Sequence, residues 1–452
     1  VSCIPFFRPH AVGPVAPSCP LQGKRLLENI MSRPVSAPQP CAISAAPLSL
    51  RDLYAAFSGL CASLVAIGLA RFAYTALVPP LIQAHWFPAA QTVALGAANF
   101  AGYLAGALLG RPLVSVWSSR TVLRGLMLAA TVAFFACAWP LSVTWFFAWR
   151  FISGLAGGGI MVLVAMSILP HIPAPRRGVV MGIIFLGLGL GIAASGTLVP
   201  CLLQFGLRET WQGLGALSLV LTALSWFGWP GQLTQATASA STAANASTAI
   251  LPAARRKLRL LYAQYAINAF GLVPTMLLLV DLVARGLGRG SSVGASYWVL
   301  YGIGAIAGPL VCGLAGDRIG FGSAYRGALM LQGLATAVLA LSGHPVAIGV
   351  AAVVLGAFTP GIAPLGLGAI QETLPHDPAA QRAAWSHATS AFALFQALAG
   401  YGYAWMFAHS HENYALVFGC GAVAVALALA VGWIAERRAD GEPPSAATPA
   451  SA

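Results

Sequence analysis

Apolar runs of about 20 residues recur along the whole of this 452-residue chain, separated by short polar breaks. A run of that length crosses the ~30 Å hydrocarbon core of a bilayer as a single α-helix. Helices are predicted near residues 53–80, 92–114, 121–140, 143–169, 179–203 and 211–229, and again near 258–284, 293–313, 324–342, 345–371, 383–408 and 413–435. Transmembrane barrels need alternating apolar and polar positions, and these runs are continuous. Charged residues make up only 8% of the chain, against roughly 25% in soluble domains. That is too little charge to clothe a water-soluble surface of this length. The 50 glycines suit helices that pack backbone to backbone in lipid. The expected fold class is an all-α membrane protein of twelve transmembrane helices.

The net charge of +13 is not spread evenly. With the amino terminus in the cytoplasm, the loops and helix ends on that side hold Arg111, Arg120, Arg124, Arg176, Arg177, Arg255, Arg256, Lys257, Arg259, Arg318, Arg326, Arg382, Arg437 and Arg438. The opposite side holds Arg208, Arg285 and Arg289. This is the positive-inside bias. It predicts a multi-pass protein of the cell's inner membrane with both termini cytoplasmic. The basic excess then faces anionic lipid headgroups, and a nucleic-acid partner is not expected. The eight cysteines are scattered without metal spacing, so neither disulfides nor a metal or other cofactor is expected.

Five segments are expected. Residues 1–50 form a tail, 51–229 a first six-helix half, 230–256 a cytoplasmic linker rich in Ala, Ser and Thr, 257–436 a second half, and 437–452 a second tail. Prolines at 5, 9, 14, 17 and 20 interrupt any signal-peptide core. Met31 is the expected start of translation, with residues 1–30 an untranslated leader. The halves repeat in sequence. Leu169-Pro170-His171, Pro173-Ala174 and Arg177 return as Leu374-Pro375-His376, Pro378-Ala379 and Arg382. Phe151, Gly154 and Ala156 align with Phe358, Gly361 and Ala363, and Gly106 and Arg111 with Gly313 and Arg318. Six helices per half make the repeats parallel, an architecture that places a substrate site between them near the midplane.

The loop after the eighth helix reads Gly313-Leu-Ala-Gly-Asp317-Arg318-Ile-Gly320. It resembles the GxxxDRxG signature of the major facilitator superfamily. Gly68-Leu-Ala-Arg71-Phe72-Ala-Tyr74-Thr75-Ala-Leu-Val-Pro79 and Asp281-Leu-Val-Ala-Arg285-Gly-Leu-Gly resemble its bacterial YbfB/YjiJ-type branch, over roughly residues 50–435. The resemblance implies two parallel six-helix repeats and transport by alternating access. It also implies a latch at the cytoplasmic side, built from Gly313, Asp317 and Arg318, with Arg111 at the matching place in the first half. There Gly110 stands where the family has its aspartate. Asp317 is expected to accept from a neighbouring helix terminus or an arginine.

A charge in hydrocarbon costs at least ~2.5–3.5 kcal/mol on insertion scales, so intramembrane ionisable groups are functional candidates. Arg71 and Arg150 fall in the outer half of the bilayer, on helices that line the central cavity in the superfamily. A positive cavity favours an anion, and arginine suits a carboxylate. Arg150 can instead satisfy backbone carbonyls, and Arg71 can snorkel outward. Asp281 and Arg285 stand four apart, as a local pair or a gate. Tyr74, Gln264, Asn268 and Thr359 are uncharged candidates for the substrate site. Gln264 and Asn268 share one helix face, where interhelical hydrogen bonding is the alternative. No phosphate-binding loop exists in the chain.

The expected function is secondary active transport of a small organic solute, an anion or carboxylate for preference, by a monomer coupled to a proton. A membrane-embedded enzyme such as a transferase, with His171, Arg176, Arg177, His376 and Asp377 as an interfacial site, is one alternative. A transporter-like sensor without flux is another.

Overall fold

The computed structural model of the chain describes residues 48–173, 176–231, 252–375 and 377–440. Most of the expected tails and linker, with Ala174 and His376 of the repeated loop string, lie outside the described residues.

Twelve long helices form among the described residues. They are α1 (Leu50–Gln83), α2 (Ala89–Val116), α3 (Ser119–Cys137), α4 (Val143–Ile168), α5 (Arg177–Leu203) and α6 (Leu207–Ser225). The second six are α7 (Pro252–Asp281, continued by a π turn over Leu282–Gly286), α8 (Ser291–Ile319), α9 (Phe321–Leu341), α10 (Pro345–Thr373), α11 (Pro378–His409) and α12 (Tyr414–Asp440). Ten are long and apolar enough by themselves to cross a membrane. The exceptions are α6, which opens on Arg208 and Glu209, and α11, which carries Gln381, Arg382, His387 and Gln396. With an even number of alternating helices, Leu50 and Asp440 lie at the same end of the bundle, called here the terminal end.

Local chemistry sets the helix starts. Ser49 and Asp52 close a reciprocal capping box at α1. Ser118, Ser142 and Asp377 cap α3, α4 and α11. The basic run Arg255-Arg256-Lys257 is already helical, because α7 begins at Pro252, inside the stretch expected as linker. Ala, Arg, Lys and Leu are strong helix formers, and proline is favoured in a first turn.

Glycines place the helices within each half. A Cβ on Gly102 would meet the Phe151 carbonyl oxygen at 2.0 Å, and one on Gly106 would meet that of Leu155 at 2.0 Å, so α2 and α4 touch through their backbones. In the second half, Gly304 faces Val353 O at 2.1 Å and Gly308 faces Ala357 O at 1.9 Å. Gly154 on Asn99 O is matched by Gly356 on Tyr301 O. Each of these correspondences is an offset of 202 residues (102 to 304, 151 to 353, 99 to 301). This corrects the sequence alignment of Gly106 with Gly313 and of Gly154 with Gly361, which runs five residues longer. Glycines recur at helical spacing on these faces, so identity alone matches them in more than one register. In the packed register Arg111 corresponds to Gly313 and Asp317 to Ser115. Gly110 therefore does not occupy the aspartate position.

The halves meet away from the terminal end. Thr75 Oγ1 donates to the Met276 carbonyl between α1 and α7. Gly302 of α8 lies against Ala193 of α5, with 2.5 Å from its missing Cβ to the Ala193 nitrogen. Gly400 of α11 packs on Ala97 and Phe100 of α2. Residues 65–81 of α1 and 271–284 at the end of α7 are all buried. These contacts join the halves around α1 and α7, and a cavity of about 500 Å³ lined by Pro80, Gln83, Leu203, Leu207 and Ser291 lies between the halves nearer the far end.

Candidate functional site

α1 does not run as a regular helix. Residues Leu64–Leu69 form a π turn, a feature that often marks functional sites. Within it Gly68 meets Gly191 and Gly187 of α5, and Gly157 of α4 meets the Ala66 carbonyl. Arg71 comes two residues after the turn, and its guanidinium reaches across to α2.

Arg71 is buried. Its guanidinium carbon sits 4.5 Å from the ring centre of Phe100, 4.9 Å from Tyr103 and 5.6 Å from Phe72. Cation–π contacts of this kind are worth about 0.5–2 kcal/mol. Its Nε and Nη2 are buried without any hydrogen-bond partner. These two nitrogens form one edge of the guanidinium plane, an edge that can take both oxygens of a carboxylate. Across the interface, Phe72, which Arg71 covers, packs against Trp298 of α8 at 6.1 Å between ring centres. Tyr301 stacks on Trp298 at 4.6 Å, and its hydroxyl bonds Thr359 Oγ1 of α10. Trp298 Nε1 donates to Ser195 Oγ of α5, at 3.1 Å. Both halves therefore build this centre.

The structure spreads the other expected residues apart. Arg150 is buried, with its Nη1 donating to the Ala70 carbonyl at 2.6 Å and its charge over the Tyr74 ring at 4.2 Å. Tyr74 donates its hydroxyl to the Thr92 carbonyl at 2.7 Å. Asn268 Nδ2 donates to Gln332 Oε1 of α9 at 2.9 Å. Gln264 lies against Gly432 of α12. That shared face of α7 looks towards its own half, not towards Arg71. Thr359 is at the centre, through Tyr301.

Asp281 is fully buried at the far end of α7. It pairs with Arg285 at 3.1 Å and accepts from the Tyr414 hydroxyl at 2.7 Å, and Arg285 also pairs with Glu412. All four residues belong to the second half. At the terminal end, Arg111, Asp317 and Arg318 are exposed, and a Cβ on Gly313 would meet nothing within 4 Å. The helix-terminus contact expected of Asp317 is made by Glu372, whose Oε1 accepts from the Phe321 nitrogen at 2.9 Å. Gly320, at φ +82°, makes the turn before it. His171 bonds the Ser167 carbonyl, Arg177 the Ile172 carbonyl, and Asp377 caps α11. The loop string expected as a rival enzyme site thus closes helix ends.

Phe100, Tyr103, Trp298 and Tyr301 were not among the expected site residues. The signal available for them was the pairing of Phe100 and Tyr103 at i,i+3 on a helix otherwise rich in Ala and Gly.

The fold is that of the major facilitator superfamily. A bacterial homolog of the human lysosomal transporter Spinster, solved inward-facing and unoccupied, superposes with a TM-score of 0.68 at 14% identity, over 88% of this chain and all of that one. The xylose transporter XylE from E. coli gives 0.63 at 14% identity, over 88% of this chain and 100% of its own. Residues 63–432 match the family described as "Uncharacterised MFS-type transporter YbfB", and the chain belongs to that family of membrane transporters, which are not enzymes. A stretch of 98 residues is 35% identical to the niacin transporter NiaP of Acinetobacter baylyi (strain ATCC 33305 / BD413 / ADP1). That match spans 21% of this chain and 22% of the relative.

Proposed function

We propose that the protein carries a small organic carboxylate across the inner membrane by alternating access, coupled to a proton. The observation that carries this reading is the unpartnered Nε–Nη2 edge of Arg71, buried between the two halves. Leaving a buried charge unpaired is costly, and a carboxylate supplies the missing acceptors. The partial relative named for niacin points the same way, since niacin is itself a small carboxylic acid.

The excess of basic residues at the terminal end supports a cytoplasmic location for it. The contacts between the halves at Thr75, Gly302 and Gly400 then lie towards the outer side, which favours an inward-facing arrangement. Gly313, Asp317 and Arg318 serve as the cytoplasmic latch in the opposite state, and Arg111 holds the place of Gly313 in the first half. Asp281 and Arg285 act as a brace within the second half. One chain supplies both halves of the site, so a monomer suffices. Uptake of a monoanion against an inside-negative potential costs about 2.3 kcal/mol per 100 mV, and a proton moving with the anion cancels that cost.

Proteoliposome uptake of radiolabelled small carboxylates tests the reading. Carboxylates are expected to be taken up faster when the outside is acidic, and the corresponding amides not at all. Arg71→Ala is expected to insert normally and carry nothing, with poor rescue by Arg71→Lys, which offers a point charge in place of a fork. Equal transport of acids and amides, or wild-type flux in Arg71→Ala, would overturn it.

A further inference from the structure

Arg150 spends only part of its charge on the Ala70 carbonyl and the Tyr74 ring. Its Nε is buried and has no hydrogen-bond partner. On α6, Nε1 of Trp211, the one polar atom of that side chain, is likewise buried and unpartnered. Both residues line the same small cavity, together with Ala70 of α1, Phe134 and Cys137 of α3, and Ser153 of α4, all of them buried. A water-sized sphere placed there can move its centre through about 10 Å³, so the space takes one small particle.

The lining selects which particle. Two unpartnered N–H donors, one of them charged, border a space walled otherwise by alanine, a phenyl ring and a thiol, and a thiol is itself a weak donor. Ser153 supplies the one hydroxyl of the lining. Its proton is committed to the Arg150 carbonyl at 2.8 Å, and its oxygen already accepts from Asn99 Nδ2 at 2.9 Å. A water in the cavity would receive both donors and find at most one free lone pair, on Ser153, for its own two hydrogens. An anion has no hydrogens to place. The charge balance points the same way. Among the described residues the acids of the first half are Asp52, which caps α1, and Glu209, exposed in the first turn of α6. Neither is placed to neutralise Arg150, and a buried cation without a counter-ion is costly.

We infer that this cavity is a binding site for a monatomic anion of chloride's size, held by Nε of Arg150 and Nε1 of Trp211. The ion ties together α1, α3, α4 and α6 and neutralises the arginine that grips α1 beside Arg71. The site is distinct from the open edge of Arg71 and does not depend on what that edge carries.

Thermal unfolding of the purified full chain tests this, with sodium chloride or bromide replacing sodium gluconate at constant ionic strength and no organic substrate present. A ligand held by the folded state alone raises the unfolding temperature as its concentration grows past its dissociation constant. Chloride and bromide are expected to do so, whereas gluconate is too large to enter. Trp211→Phe keeps a ring in place and removes one donor, and is expected to weaken the chloride affinity about tenfold. Ala133→Val fills the cavity from α3 with both donors intact; it is expected to abolish the chloride effect, and serves where Trp211→Phe does not fold. Arg71→Met is expected to leave the effect unchanged. Unfolding that ignores the halides assigns the space to a water and overturns the inference. A halide effect that survives Trp211→Phe or Ala133→Val undiminished marks an ion bound elsewhere and overturns it too. So does an effect that disappears in Arg71→Met, which puts the ion on the open edge.

Discussion

Arg150 on α4 donates from Nη1 to the carbonyl of Ala70, the residue immediately before Arg71, across 2.6 Å of buried space. Its guanidinium also covers the Tyr74 ring at 4.2 Å. One arginine thus grips α1 where the helix leaves its π turn and presents the other. The two buried cations divide the labour, with Arg150 engaged to the backbone and Arg71 left open. Arg150→Ala removes a charge-assisted bond to a buried carbonyl and leaves a cavity. The expected loss is about 2–4 kcal/mol of stability, with weaker substrate binding because Arg71 is no longer held. Thermal unfolding alongside ligand titration measures both, and a variant of unchanged stability would remove the positioning role.

Arg71 should respond with the opposite sign. An unpaired buried cation costs more than its cation–π contacts return, and apolar replacements of such charges are often neutral or stabilising. Arg71→Met is therefore expected to abolish transport while raising the stability of the ligand-free protein by about 1 kcal/mol. Unfolding of the purified protein in the absence of substrate gives the sign directly.

The brace at the far end makes a third case. Asp281→Asn leaves Arg285 with a weaker partner and breaks the short contact from Tyr414, whereas Tyr414→Phe removes one hydrogen bond alone. Losses of about 2–4 kcal/mol and about 1 kcal/mol are expected. Because all partners lie in one half, the ranking of transported substrates should not change, and a competition assay with a substrate panel checks this.

Gly302 tests how the halves separate towards the far end. Its missing Cβ would stand 2.5 Å from the Ala193 nitrogen across the interface, so Gly302→Ala keeps α5 and α8 apart at the far end without touching either half's own packing. The expected result is a shift towards the state open at the far end, read as faster labelling of a cysteine placed at Ser291. Gly154→Ala strikes Asn99 O within one half and is expected instead to lower stability.

The helices themselves were legible in the sequence. In lipid every backbone group must be satisfied within its own segment, so an apolar run such as 92–114 has little choice but to be a helix, and α2 spans it. The parallel halves were legible too, because six crossings return the chain to the side where it began. What sequence did not settle was rotation and register. Gln264 and Asn268 lie four apart and so share a face, but which way that face looks depends on Gly271 meeting the Gly421 carbonyl oxygen of α12. That contact turns both side chains into the second half. Gly106 found a sequence partner in Gly313, yet the packing pairs it with Gly308, since backbone contact through glycine fixes a register that repeated glycines leave ambiguous. Arg71 and Arg150 looked alike as buried cations. Only the tertiary structure separated them, by bringing the Ala70 carbonyl to one and three aromatic rings to the other, because a partner supplied by a different helix leaves no mark on the residue's own stretch of chain.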